Sequence, residues 1–434
     1  MADPSFPGLH IRPPQGWLND PNGLCRIDGR YHVFFQYNPI APIFGAMHWG
    51  HVSSTDLVHW QEHPMALSPR PGHIDEAGCW SGCIVDDGGV PTAVYTANPD
   101  HPRNAVAALA RSDRSMIHWQ QDPSPIVGIT KPSGIDEVRD PFIFVHDGHR
   151  YAVQGAGQPS GKPRLQLYGC DDLSRWTELG TLLSTDDPIA GEVASANIWE
   201  CPNLVRIDGH WALLVSLCQL TAEFHSAGVR YLLGDLVAQG PGWAFKATSG
   251  GAVDSGPSFY APQVLAEPGR TLLWGWAREV GRTDREIADA GWAGVLTFPR
   301  ELYVGDGGGL GLRPVTELEG LRQDKMAVRA AEPFQAHAFE LVAHGPVTLR
   351  LIDDGADDLV SAAEAAPADP ARILVDGSIV ETFHGGKAHT TRAYPTVGSS
   401  WVVEGDVTAY RLGDRVHDSI DRDLRPSVAA RLSS

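Results

Sequence analysis

From residue 20 onward, short apolar runs alternate with glycine-bearing turns, and the alternation is periodic. The stretches "PNGLCRIDGRYHVFF" (21–35), "SGCIVDDGGVPTAVY" (81–95), "PFIFVHDGHRYAV" (141–153), "CPNLVRIDGHWALL" (201–214) and "APQVLAEPGRTLLW" (261–274) each read as strand, tight turn, strand. Short runs rich in Val, Ile, Leu, Phe and Tyr between turn residues predict strands rather than helices. Four of the turns carry Asp-Gly, at 28, 87, 147 and 208. That dipeptide suits a two-residue hairpin turn, whose central positions need positive φ. The residues at the head of these stretches, Asp20, Trp80, Asp140, Glu200 and Tyr260, each lie 60 after the one before.

A second marker recurs independently. Trp60, Trp119 and Trp176, which close "STDLVHW", "SDRSMIHW" and "CDDLSRW", follow the first three anchors by 40, 39 and 36 residues, and Trp243 follows the fourth by 43. A repeated unit with one hairpin and then a second strand pair matches the four-stranded blade of a propeller. The expected architecture is all-β, with a five-bladed β-propeller over residues 1–305. Residues 306–323 read as a linker, because "GDGGGLG" (305–311) has the glycine content of a connection and Leu318 and Leu321 suit a short helix. Strand patterns return in "HAFELVAH", "VTLRLID", "ARILVDGSIVETFHGG" and "SWVVEGDVTAYRL", predicting a C-terminal β-sandwich and tail over 324–434. The sandwich is expected to be short, since "DDGADDLVSAAEAAPADPA" (353–371) reads as a loop.

Bulk properties narrow the function. At 434 residues the chain exceeds the size at which one core usually suffices. Its net charge of −19 disfavours nucleic acid and anionic membrane and suits a neutral or cationic small molecule. No basic n-region precedes an apolar segment, so the expected location is the cytoplasm. Six scattered Cys, at 25, 79, 83, 170, 201 and 218, read as buried free thiols. His-Glu-x-x-His, Gly-x-x-x-x-Gly-Lys-Ser/Thr and Gly-x-Ser-x-Gly are all missing, which removes support for zincin, P-loop and hydrolase-elbow chemistry. Neither metal nor cofactor is expected.

In a propeller the repeats surround one axis, so Asp20, Asp140 and Glu200 converge although they are remote along the chain. One acid beside Pro reads as a turn cap. Three in equivalent positions read as a site, with mutual repulsion raising at least one pKa. Glycosidic cleavage uses a protonated and an ionised carboxyl group together. Arg139 is expected to hold its neighbour Asp140 ionised, and Asn19, Gln36, Ser81 and Asn203 to contact sugar hydroxyls. Phe44, Trp80, Tyr260 and Trp276 read either as platforms for a sugar's C–H face or as blade packing.

"WLNDPNG" (17–23), "FQYNP" (35–39), "WGHVSSTDLVHW" (49–60), "WSG" (80–82), "RDP" (139–141), "WECPNL" (199–204) and "FYAPQ" (259–263), in this order, resemble glycoside hydrolase family 32, the β-fructosidases. The resemblance implies a five-bladed propeller with a sandwich, and a retaining double displacement on β-D-fructofuranosyl units. It implies Asp20 as nucleophile, Glu200 as acid and base, and Asp140 as stabiliser of the transition state. It further places Asn19, Gln36, Trp80, Ser81 and Arg139 at the fructose subsite with Trp276 as a wall. Phe44 stands where the family often has Trp, and Asp254 reads equally as a rim residue or a turn former. Glu381 sits on a strand of the second domain, and nothing in the repeat places it near the axis. The expected substrates are sucrose and short fructo-oligosaccharides. Alternatives are a fructosyltransferase, an exo-fructanase on inulin or levan, an inverting arabinanase-type propeller and a silent sugar-binding propeller.

Overall fold

Each apolar run forms a strand that pairs with its sequence neighbour, so the first 314 residues build five antiparallel sheets one after another. The computed structural model describes residues 3–413 except 130, 132–133, 159–160 and 221–223, so the expected tail from 414 lies outside the described residues. The first sheet runs through Gly16–Ile27, Arg30–Asn38, His48–Ser54 and Gln61–Leu67. The second comprises Gly78–Asp87, Val90–Asn98, Val106–Ser112 and Trp119–Gln121, and the third Glu137–His146, His149–Gly157, Arg164–Gly169 and Thr177–Ser184. The fourth is Ile198–Ile207, His210–Leu220, Phe224–Gln239 and Gly242–Ala252. The fifth contains Phe259–Glu267, Arg270–Ala277, Arg300–Val304 and Leu310–Pro314.

The leading strands of these sheets pack against one another. Gly16–Ile27 touches both Gly78–Asp87 and Phe259–Glu267, while Ile198–Ile207 touches Glu137–His146 and Phe259–Glu267. Between the last sheet and the first, Trp292–Ala293 pairs in parallel with Gly16 and Trp17. Gln263 adds side-chain bonds in the same region, accepting from Leu24 N and donating to Gly82 O.

The hairpin turns follow the expected chemistry at three of four places. Asp28-Gly29, Asp147-Gly148 and Asp208-Gly209 all have positive φ. In the second sheet the turn is Gly88-Gly89 instead, because Asp87 still pairs with Val90. The repeated Trp is anchored by its own turn: Trp119 and Trp176 donate Nε1 to Met116 O and Leu173 O, both at 3.0 Å. Asp113 and Asp172 cap those turns by accepting from Ser115 N and Ser174 N.

Two expectations from composition are corrected. The glycine run at 305–309 is a hairpin turn, and Leu310–Pro314 pairs with Arg300–Val304 as the outer strand of the fifth sheet. Glycine content alone does not separate a linker from a turn. Only Thr316–Leu321 is a connector, a 3₁₀ helix that buries Leu318 and Leu321. The stretch read as a loop contains the strand Ala356–Glu364, paired along Pro346–Asp353. It is an edge strand with most residues exposed, where charge and Ala content blunt further pairing.

Beyond the connector, a six-stranded and a four-stranded sheet enclose a separate core. Phe339, Leu341, Ile373 and Val375 of one sheet meet Leu349, Trp401 and Val403 of the other. A buried charge network ties this unit to the five sheets. Arg300 donates to Asp254 at 2.7 Å and to Glu381 at 2.5 Å, and Glu381 also accepts from Phe298 N. His10 bridges Asp376 at 2.8 Å and Glu381 at 3.0 Å. Asp254 therefore belongs to the junction, where it also binds Thr390, and not to a rim. Among the described residues no helix is long and apolar enough to cross a membrane.

Candidate active site

Every leading strand breaks its pairing at its repeat anchor, and the first does so again between Asn22 and Cys25. Register slips between Leu18 and Pro21, Trp80 and Gly82, Arg139 and Phe142, Glu200 and Asn203, and Tyr260 and Gln263. Pro21, Pro141, Pro202 and Pro262 explain four of these slips, since Pro has no N–H to give to a ladder and is confined to bulges and edges. Asp140, Cys201 and Ala261, just ahead of the last three prolines, take positive φ of 58°, 46° and 44°. A bulge turns the strand and re-aims its side chains.

The bulges correct the register of the repeat. The residue before each proline is Asp20, Asp140, Cys201 and Ala261, so Glu200 occupies the place of Arg139 rather than of Asp140. Equal spacing of 60 had aligned Glu200 with the two aspartates. Two tiers result. One carries Asn19, Trp80, Arg139, Glu200 and Tyr260, and the other carries Asp20, Ser81, Asp140 and Cys201.

Hydrogen bonds link the tiers. Asp20 Oδ2 accepts from Ser81 Oγ at 2.6 Å, from Gln36 Nε2 at 3.0 Å and from Cys201 Sγ at 3.4 Å. Among the described residues the side chain that donates to its Oδ1 is Asn19, through Nδ2 at 3.0 Å. Asp140 Oδ2 accepts from Cys201 N at 3.0 Å, and Thr96 Oγ1 holds Asp140 N at 2.8 Å. Glu200 Oε2 accepts from the Tyr260 hydroxyl at 2.7 Å, and its Oε1 faces Arg139 Nη2 at 3.4 Å. Arg139 thus pairs with Glu200 and with Glu137, the latter at 2.5 Å, rather than with its neighbour Asp140.

Asp20, Asp140 and Glu200 open into one cavity of about 490 Å³. Asn19, Gln36, Phe44, Trp80, Arg139, Tyr260 and Trp276 line it too, while Ser81 stands behind the wall, holding Asp20, and Asn203 does not line it. Asn203 is corrected: its amide ties Cys201 O to Pro262 O and accepts from Val264 N, leaving nothing for a ligand. Phe44 is 53% exposed at the mouth, on a loop shaped by Asn38 bonds to Ile43 O and Ile40 N.

Sequence reasoning missed Trp17, Glu137, Cys201, Leu220, Arg278 and Glu279. Cys201 and Glu137 flank expected residues, and Pro202 was the available sign that Cys201 heads a bulge. Arg278 and Glu279 follow the strand that ends at Ala277 and carried no motif.

Burial dominates the electrostatics. It pushes the Asp20 carboxyl above its ordinary value despite the bonds from Ser81, Asn19 and Cys201. It pushes Asp140 up to about 7, with Glu200 adding repulsion and Arg139 opposing. Glu200 is also raised, burial outweighing Arg139 and Tyr260. The Arg139 guanidinium is itself desolvated, but the charges of Glu200, Glu137 and Asp140 outweigh that and hold it firmly protonated. The Cys201 thiol is pushed far up by burial and adjacent carboxylates, so it stands as a neutral donor. Two cations, Arg139 and Arg278, against five lining acids leave protons on some carboxyls near neutral pH, which acid catalysis needs.

Comparison with known proteins agrees with this geometry. Residues 10–314 match the family model described as glycosyl hydrolases family 32 N-terminal domain. A sucrose-6-phosphate hydrolase of Escherichia coli is 37% identical over 334 residues, covering 74% of this chain and 67% of that protein. A raffinose invertase of Escherichia coli is 36% identical, covering 78% and 70%. A β-fructofuranosidase structure from Bombyx mori superposes with a TM-score of 0.80 at 26% identity, covering 94% of each chain, and a mutant of it has been solved with sucrose. The chain belongs to glycoside hydrolase family 32 and is a glycoside hydrolase of the β-fructofuranosidase type.

Proposed function

We propose that this enzyme releases terminal β-D-fructofuranosyl units from sucrose or short fructo-oligosaccharides with retention of configuration. In this reading the five sheets are blades of a closed propeller over residues 16–314, joined by the 3₁₀ connector to a sandwich that starts at 322. The parallel pairing of Trp292–Ala293 with Gly16–Trp17 supports closure, since it joins the last blade to the first. All six cysteines are unpaired thiols, which supports a reducing, cytoplasmic setting.

The observation that carries the proposal is the unequal bonding of the two Asp20 oxygens. Three side-chain donors hold Oδ2 in place, while among the described residues Asn19 is the one side chain on Oδ1, which keeps lone pairs for attack. Asp20 attacks C2 of the fructosyl unit as Glu200 gives its proton to the glycosidic oxygen, and the sugar leaving group departs. A fructosyl ester on Asp20 remains. Water then attacks C2 while Glu200 takes its proton, and fructose and free Asp20 are regenerated. Asp140 binds fructose hydroxyls and strengthens those bonds as the ring becomes oxocarbenium-like.

The anomer of fructose first released, read by NMR before it mutarotates, tests the stereochemistry: β-fructofuranose supports retention and α-fructofuranose overturns it. Asp20→Ala is expected to lower turnover by at least about 10³-fold while the protein stays folded. Near-normal hydrolysis of sucrose by that variant would remove the assignment.

A further inference from the structure

In the cavity that holds five acids, one cation has no partner among the described residues. Glu137 is bonded to Arg139, and Glu279 to Arg282, Tyr394 and Gly294 N. Arg278 lines the same cavity and is half-buried, yet among the described residues its guanidinium has neither hydrogen bond nor ion pair. Only its backbone is engaged, donating to Ser258 O. A half-buried guanidinium with no anion beside it keeps its fork of donors for a ligand of opposite charge.

Its place indicates which part of a substrate it meets. Arg278 N donates to Ser258 O, two residues before Tyr260, and Tyr260 pairs with Trp276, two residues before Arg278, while its hydroxyl holds Glu200. Under the proposed mechanism Glu200 protonates the glycosidic oxygen, so groups grouped around Tyr260 flank the departing sugar, while Asp20 and Asp140 flank the fructose. Phe44, Pro102 and Leu220 add apolar surface to the same cavity. None of these three offers a charge.

We propose that Arg278 is a specificity-determining residue that binds an anionic substituent, a phosphoryl group, on the sugar leaving group. The inference rests on the fructosidase reading of the site. A net charge of −19 argues against an anionic ligand only at long range, because ions screen exposed charges beyond about 10 Å. Within the cavity the acids repel a phosphoryl group, and a free guanidinium is what offsets them, in a bidentate geometry that phosphate oxygens match. The similarity to sucrose-6-phosphate hydrolases is consistent with such a substrate but names no residue for it.

The test is kcat/KM of the wild type, Arg278→Ala and Arg278→Gln on sucrose and on sucrose 6-phosphate, at fixed ionic strength and with thermal unfolding recorded. The wild type is expected to favour the phosphorylated sugar, and both variants to lower the ratio of the two kcat/KM values by about 100-fold, chiefly through KM. Added salt is expected to lower that ratio for the wild type and to leave it flat for the variants. An unchanged ratio overturns the proposal, as does an equal fall on both substrates, which marks Arg278 as acting through Tyr260 and Glu200. A wild type that hydrolyses sucrose but not its 6-phosphate also overturns it. A wild type that cleaves neither sugar refutes the fructosidase reading itself, so the two failures are distinguishable.

Discussion

The Tyr260 hydroxyl donates to Glu200 Oε2 at 2.7 Å, so the group proposed to give up a proton is held by a donor that favours its ionised form. Removing the donor with Tyr260→Phe lets burial act unopposed on that oxygen and raises the Glu200 pKa further. The basic limb of the kcat/KM profile is expected to move up by about one pH unit. Turnover near neutral pH should fall about tenfold, because the glutamate becomes a poorer general acid and loses its alignment. A profile superimposable on the wild type would show that Glu200 is not the titrating acid.

Asp140 offers a stability test. Its folded-state pKa of about 7 lies above its ordinary value of 3.8, so the folded protein binds this proton more tightly than the unfolded chain. The resulting penalty on folding is absent at low pH, grows as pH rises from the ordinary value, and is complete above about 7. Asp140→Asn keeps an acceptor for Cys201 N and removes the charge. The variant should be more stable than wild type by on the order of 1–4 kcal/mol above neutrality, with the gap closing in acid, and it should lose most of its turnover. Denaturant melts across pH check the sign, and a variant less stable at alkaline pH would contradict it.

The junction network predicts the opposite kind of change. Burial works against Asp376 and Glu381, yet His10 and Arg300 hold their carboxyls below the ordinary range, so their support is present at neutral pH and is lost in acid. His10 is raised by the same carboxylates despite its burial, so its support is complete below the ordinary histidine value and is lost as pH climbs through the raised one. His10→Ala leaves two buried carboxylates short of a cation and is expected to cost about 3–5 kcal/mol. Unfolding of the intact chain should show the gap narrowing as pH rises above the ordinary histidine value.

At the mouth, Phe44 is half out of the protein and 6.3 Å from Trp80, ring to ring. It offers a face to a leaving-group sugar without touching the acids. Phe44→Ala should raise KM about five- to tenfold and change kcat little, as expected when an interaction is equally strong in ground and transition states. A large loss in kcat would mean that the ring positions the bond being broken.

Much of this was legible in the chain. The hairpins were visible because their apolar runs and Asp-Gly turns are local signals, and the turn at Gly88-Gly89 departed only by one residue. The edge strand Ala356–Glu364 was missed because its stability comes from pairing with Pro346–Asp353, while its own composition is that of a loop. Spacing brought Asp20, Asp140 and Glu200 together correctly but placed them in one tier. The bulges put Glu200 in the other, and Pro202 was the sole local trace of that shift.

Sequence alone thus determined the strand repeat and the all-β class, since each depends on neighbours a few residues away. Tertiary structure alone decided which charges are paired. It gave Arg139 to Glu137 and Glu200, sent Asp254 and Glu381 to the junction, and left Arg278 in the cavity without a charged partner among the described residues. Coulomb energy and desolvation depend on distance and surroundings, and those are set only when strands remote along the chain are packed side by side.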